Sequence, residues 1–110
     1  TATGVRVAGD FDAPVRRVAL CGGAGDSLGM KLAIETNGDY VTSDLRHHPA
    51  SEAVENARVS GGPALIDVSH WASEWLWLAN AATELGAALP DVEIIVSELR
   101  TDPWDFAVLQ

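Results

Sequence analysis

Two residues in this chain have the types and spacing for metal chemistry, His70 and Glu74 in Ile66-Asp-Val-Ser-His-Trp-Ala-Ser-Glu74. An apolar, strand-like run, Ala64-Leu65-Ile66, stops at Asp67, and a helix-like run begins almost at once with His70. On a helix, positions i and i+4 lie one turn apart on one face. An imidazole and a carboxylate so placed suit a divalent transition metal such as Zn, Mn or Fe. The carboxylate can also bridge two ions, as two-metal hydrolytic sites require. A plainer reading needs no metal: Ser69 caps the helix, His70 sits in its first turn, and Glu74 pairs with a surface cation. These residues alone leave both readings open.

Two further strand ends carry unusual residues, Cys21-Gly-Gly-Ala-Gly-Asp26 and Ser43-Asp-Leu-Arg-His-His48. All three histidines fall in this second loop and the His70 segment. In open α/β sheets ligands bind beyond the carboxyl ends of the strands, so a parallel sheet would bring the three ends to one edge. His47 and His48 could form a ligand pair or face a substrate beside Arg46. Neighbours in an extended segment point to opposite sides, so one faces the site and the other meets solvent or packs. Asp44 and Asp67 could orient a ligand histidine, or simply cap a loop or helix. Gly23 and Gly25, ahead of Asp26, resemble a phosphate cradle at a helix start. No Walker lysine follows, the spacing is not GxGxxG, and Asp26 would repel a phosphate. The alternative is a tight glycine turn that lets backbone approach the site. Cys21 is expected to be buried at the strand end.

The elements that must position these groups alternate. Residues 5–7 read as a short edge strand and residues 15–21 as a strand. A helix follows to about Thr36, capped by Asp26 or Ser27 and ended by Asn37-Gly38. Residues 40–42 read as a strand, 43–48 as a loop, and 49–57 as a helix with Pro49 in its first turn. After Gly61-Gly62-Pro63 come a strand over 64–68 and the longest helix, 69–89, with Leu78, Ala82, Leu85 and Leu89 at helical spacing. Residues 92–97 read as a last strand. The pattern predicts an α/β fold: a layered sheet of roughly five strands, largely parallel, with helices packed on it. Trp71, Trp75 and Leu78 share one face of the long helix and Trp77 lies well round from them. That suggests burial on two fronts, against its own sheet and another domain or subunit; a large local core is the alternative.

At 110 residues the chain is one small domain, residues 1–110, or a piece of a larger protein. It lacks an initiator methionine, and its first residues read as the lead-in to a strand. An N-terminal portion is therefore expected to be missing, with a processed leader or tag scar as the alternative. One cysteine excludes an internal disulfide framework. No apolar run approaches a membrane span and no signal pattern is present, so a cytoplasmic location and no membrane partner are expected. A net charge of −9 argues against a nucleic-acid footprint and suits cation binding.

The Cys21–Leu28, Thr42–His48, Ile66–Glu74 and Thr101-Asp-Pro-Trp104 motifs, in that order, resemble the C-terminal part of the Nif-three-like proteins. These are also known as dinuclear metal-centre hexameric proteins or GTP cyclohydrolase I type 2 homologues. The wording of the motifs is similar to the actinobacterial branch. The resemblance covers nearly the whole chain. It implies the C-terminal lobe of a two-lobed α/β protein that assembles as a toroidal homohexamer. It implies two metal ions per intact chain, with His70 as a ligand and Glu74 as a bridge. The other three ligands, a His-His pair and an Asp, belong to the N-terminal lobe, so metal would bind this piece weakly or not at all. Asp26 falls in the family's glycine turn, and His48, beside Ser43 in place of the usual glycine, becomes a site-lining residue with Asp44 and Asp67. The expected function is a metal-dependent hydrolase acting on a small, nucleotide-like substrate. A non-catalytic hexameric scaffold and a nucleotide-binding module using the glycine loop are the alternatives.

Overall fold

The computed structural model describes residues 4–110, and for Leu28 the backbone only; residues 1–3 of the expected strand lead-in lie outside it. Four strands form one mixed sheet in the order β1-β4-β3-β2: β1 Arg6–Ala8, β2 Val18–Ala24, β3 Asp39–Ser43 and β4 Leu65–Val68. The β2–β3 and β3–β4 pairings are parallel, and β1 runs antiparallel on the β4 edge. The α/β architecture follows the sequence pattern, with one strand fewer. Residues 92–97, expected as a strand, form none, although Ile94 and Val96 alternate as half-buried positions. The segment has the apolar content of a strand, but no free edge of this sheet receives it. A strand is stable only when its backbone groups are paired.

Four helices connect these strands and extend past β4: α1 Leu28–Thr36, α2 His47–Ser60, α3 His70–Trp75 and α4 Trp77–Ala88. α1 stops where Asn37 turns left-handed, φ 52°, and Gly38 N–H donates to the Ala33 carbonyl at 3.0 Å. α2 starts two residues earlier than expected, so His47 and His48 occupy its first turn rather than a loop. Pro49 permits this, because the first four N–H groups of a helix have no intrahelical partner. The expected 69–89 helix is interrupted at Leu76, which keeps right-handed dihedrals (φ −58°, ψ −27°).

Met30 and Ala33 of α1, Ala53 of α2, Tyr40 and Leu65 of the sheet, and Leu45 form the core. Ala19 and Cys21 pack against it, and Cys21 is half-buried rather than fully buried. None of the residues of α3 or α4 is fully buried. No helix among the described residues is long and apolar enough to cross a membrane.

Candidate metal centre

β2 is irregular where it nears the candidate site. Leu20 pairs with Val41 and Ala24 with Ser43, so β2 spends four residues where β3 spends two. The surplus of two falls within Cys21-Gly22-Gly23, which face Thr42 alone, a bulge that throws Gly23 out of the ladder. Gly23 adopts φ +74°, a left-handed conformation that glycine holds without strain. Its carbonyl is fixed by two hydroxyls, donated by Thr42 at 2.9 Å and Ser43 at 2.8 Å. Tyr40, 1% exposed, donates to the Gly25 carbonyl at 2.5 Å. Burial raises the Tyr40 pKa, which keeps its hydroxyl a donor. The glycine run is therefore a bulged strand end held from β3, where a tight loop had been expected.

Opposite this bulge, β4 ends at Val68 and Ser69 becomes the N-cap of α3, its Oγ accepting from Ala72 N–H at 3.3 Å. That cap makes His70 the first helical residue and places Glu74 one turn on. His70 Nε2 lies 3.1 Å from Glu74 Oε1. On the other side of the ring, Nδ1 lies 2.5 Å from the Asp44 carboxylate. Asp44 follows β3 directly and is itself left-handed, φ 55°, a conformation Asp tolerates better than most residues. A β-carbon on Gly23 would stand 3.2 Å from Glu74 Oε1 and 3.6 Å from His70 Nε2. The bulge, the strand end after β3 and the helix start after β4 thus meet around one imidazole.

The hydrogen bond to Asp44, above all, and then the charges of Glu74 and Asp44 raise the His70 pKa, against an opposing effect of burial. A proton on Nδ1 shared with Asp44 leaves Nε2 with its lone pair free, on the side where Glu74 stands. One imidazole nitrogen and one carboxylate oxygen fit half of a transition-metal site. Asp44 is on the far side of the ring. Among the described residues no three His, Cys, Asp or Glu side chains are grouped to hold a metal ion.

The other candidates divide. Asp67 is nearly buried, and its carboxylate receives Arg6 from the neighbouring β1, Nε at 2.8 Å, and the Leu45 N–H at 3.3 Å. Arg6 and Asp67 are direct cross-strand partners, so this aspartate joins β1, β4 and the turn after β3 instead of orienting His70. Asp26 and Arg46 form an ion pair with each other. His47 and His48 are exposed, their rings edge-to-face at 5.4 Å, and His47 lies 3.5 Å from Ser51 Oγ. A cleft of about 640 Å³ borders the site and is lined by Asp44, Asp67, His70, Trp71 and Glu74, but not by His48, Arg46, Gly23 or Gly25.

The same cleft takes Asp102 and Trp104 from the C-terminal segment, residues to which sequence reasoning gave no role. Trp71 Nε1 donates to Thr101 Oγ1 at 3.0 Å and ties that turn to α3. Asp102 is 8% exposed, and its Oδ2 has no hydrogen-bond partner among the described residues. The available signal was the Thr-Asp-Pro-Trp turn itself, whose Asp accepts from the Trp104 N–H at 3.2 Å. Tyr40, Thr42 and Ser43 were also missed as supports of the bulge; exposed glycine carbonyls need such donors.

The Duf34/NIF3 (NGG1p interacting factor 3) family model matches residues 1–103. The chain belongs to this family. The Duf34/NIF3 chain is 53% identical over 109 residues to a GTP cyclohydrolase 1 type 2 homolog of Mycobacterium tuberculosis, covering 96% of this chain and 27% of the relative. It is 44% identical over 108 residues to the Streptomyces coelicolor protein of the same name, covering 94% of this chain and 36% of the relative. The crystal structure of a Bacillus cereus protein related to NIF3 superposes with a TM-score of 0.78 at 31% identity, over 96% of this chain and 29% of that one. A Staphylococcus aureus structure gives 0.78 at 27% identity, over 96% and 34%. The chain thus spans about a quarter to a third of the length of these relatives.

Proposed function

We propose that this chain is the C-terminal lobe of a two-lobed Duf34/NIF3 protein and supplies half of a dinuclear metal site for hydrolysis of a small, nucleotide-like substrate. The observation that carries this reading is the pair His70 Nε2 and Glu74 Oε1, 3.1 Å apart beside Gly23, with Asp44 on the opposite ring nitrogen. In the intact protein His70 would serve as a ligand to one ion and Glu74 as a ligand shared by the two, with the remaining ligands coming from the other lobe. Divalent ions held there supply Lewis acidity and a nucleophile at neutral pH.

The chain's own residues do the positioning. Asp44 retains the Nδ1 proton and fixes the tautomer, so that Nε2 presents its lone pair. Gly23 leaves room for the carboxylate, because any larger side chain would crowd Glu74 Oε1. Trp71 and Trp104 give the neighbouring cleft aromatic walls on which a flat ring could rest. Two ligands leave a site too open to preorganise, so tight metal binding belongs to the full polypeptide in its homohexamer.

A screen of nucleotide hydrolysis by the metal-loaded full polypeptide tests the enzymatic part. Turnover that disappears with chelator and in Glu74→Ala is the expected result. A protein that holds its metal and turns over none of the panel would favour a hexameric scaffold. Stabilisation of metal-free protein by nucleotides would favour a binding module using the glycine segment.

A further inference from the structure

Cations are scarce in this chain, yet one stands in the cleft beside His70 and Glu74. The sequence has 7 Lys and Arg against 16 Asp and Glu. The cleft of about 640 Å³ is lined by Asp44, Asp67, Glu74 and Asp102, and Arg6 is its one lysine or arginine among the described residues. That volume falls in the roughly 300–1,000 Å³ range of small-molecule sites. A neutral or cationic ligand needs no arginine in so acidic a wall. An anion does, because the carboxylates repel it.

Arg6 is also held in a particular way. It faces Asp67 across the β1–β4 pairing, near the carboxyl end of β4. Its Nε donates to Asp67 at 2.8 Å, and its Nη2 donates to the same carboxylate and to the Leu45 carbonyl at 3.4 Å. Nη1 has no partner among the described residues, so one arm of the guanidinium keeps its N–H groups free. The Arg6 side chain is 74% exposed, whereas that of Asp67 is 11% exposed. An ion pair with so exposed a partner contributes little to stability. Its effect is geometric. Asp67, itself bonded by the Leu45 N–H, holds a long, flexible side chain in one orientation. Leu45 follows Asp44, so the guanidinium is fixed to the turn that carries the partner of His70.

We propose that Arg6 is a substrate-binding residue, its free Nη1 arm taking the phosphate of a nucleotide-like substrate in the cleft beside His70 and Glu74. A guanidinium matches phosphate oxygens in geometry and stays charged. Bracing by Asp67 lowers the entropic cost of ordering it on binding. Trp71 and Trp104 in the same cleft offer the base a stacking surface. The inference rests on the reading of this site as one for a nucleotide-like substrate, and it names the group that the substrate must carry.

Paired binding measurements on the metal-loaded full polypeptide test it, with each common ribonucleoside and its monophosphate as probes. Wild type should bind a monophosphate about 10–100-fold more tightly than the matching nucleoside. Arg6→Gln should lose most of that preference, with nucleoside affinity and metal content unchanged. Bound metal also attracts phosphate, so the readout is the difference between the two proteins at equal metal content. Arg6→Lys keeps the charge without the fork and should retain part of the preference; it carries the test if Arg6→Gln does not fold. No preference in wild type, or one unchanged in Arg6→Gln, would overturn the proposal. Equal weakening of nucleoside and monophosphate would overturn it too, by making Arg6 a structural brace for Asp67. A protein that holds its metal and binds neither probe would remove the nucleotide-like substrate and this proposal with it. A protein without metal at His70 and Glu74, but with an Arg6-dependent preference, would remove the metal reading and leave the phosphate contact standing.

Discussion

Replacing Gly23 by alanine should be costly, and replacing its neighbour Gly22 should not. Gly23 has φ +74°, and an alanine there pays the left-handed penalty of an L-residue, about 1–2 kcal/mol. Its backbone cannot relax freely, because Thr42 and Ser43 both bond its carbonyl. The new methyl would also stand 3.2 Å from Glu74 Oε1, close enough to move that carboxylate by a few tenths of an ångström. Gly22 lies in the same strand, has no positive φ, and a methyl on it meets nothing within 4 Å. Gly22→Ala should therefore be neutral or stabilising by up to about 1 kcal/mol, since glycine in a strand carries excess unfolded-state entropy. Urea unfolding of the metal-free full polypeptide, with m-values compared, measures both. Metal titration of the same variants should show weaker binding only for Gly23→Ala. Equal stabilities, or a larger loss at Gly22, would refute the bulge-and-clearance reasoning.

Further predictions concern the groups around this bulge. Asp44→Asn should lower the His70 pKa toward its ordinary value and weaken metal binding by about 10–100-fold; an NMR titration and a metal competition assay read the two effects. A raised folded-state His pKa contributes stability below the unfolded value that is lost as pH rises through the folded value. Metal-free wild type should thus lose stability across a window starting near pH 6.5, and His70→Gln should flatten that slope. Asp67→Ala should cost about 1–3 kcal/mol by stranding the buried Leu45 N–H, whereas Arg6→Ala, removing the exposed partner, should cost at most about 1 kcal/mol. Tyr40→Phe should cost about 1 kcal/mol through the lost bond to Gly25, with metal content unchanged.

Much of this arrangement was legible in the residues. Asn37-Gly38 announced the end of α1 because few residues tolerate the left-handed cap. The step from Val68 through Ser69 to His70 was readable as strand, cap and helix, and it put His70 and Glu74 on one face. The strand over 92–97 was misread for a reason of principle: alternation reports a surface suited to a sheet, not whether the sheet lies in this chain. His47 and His48 were placed in a loop because Pro49 looked like a helix start, yet proline fits any early position of the first turn. Asp67 and Asp44 looked equivalent at strand ends, and only the antiparallel placement of β1 gives Asp67 to Arg6. Pairing direction at a sheet edge is a long-range property that local pattern does not carry.

The most direct test of the central claim is the metal content of the full polypeptide and two single variants after identical purification. Wild type should retain up to two transition-metal ions per chain. Glu74→Ala should lose both, as expected of a bridge, and His70→Ala should lose one. Metal content unchanged in both variants would contradict the assignment of His70 and Glu74 as ligands.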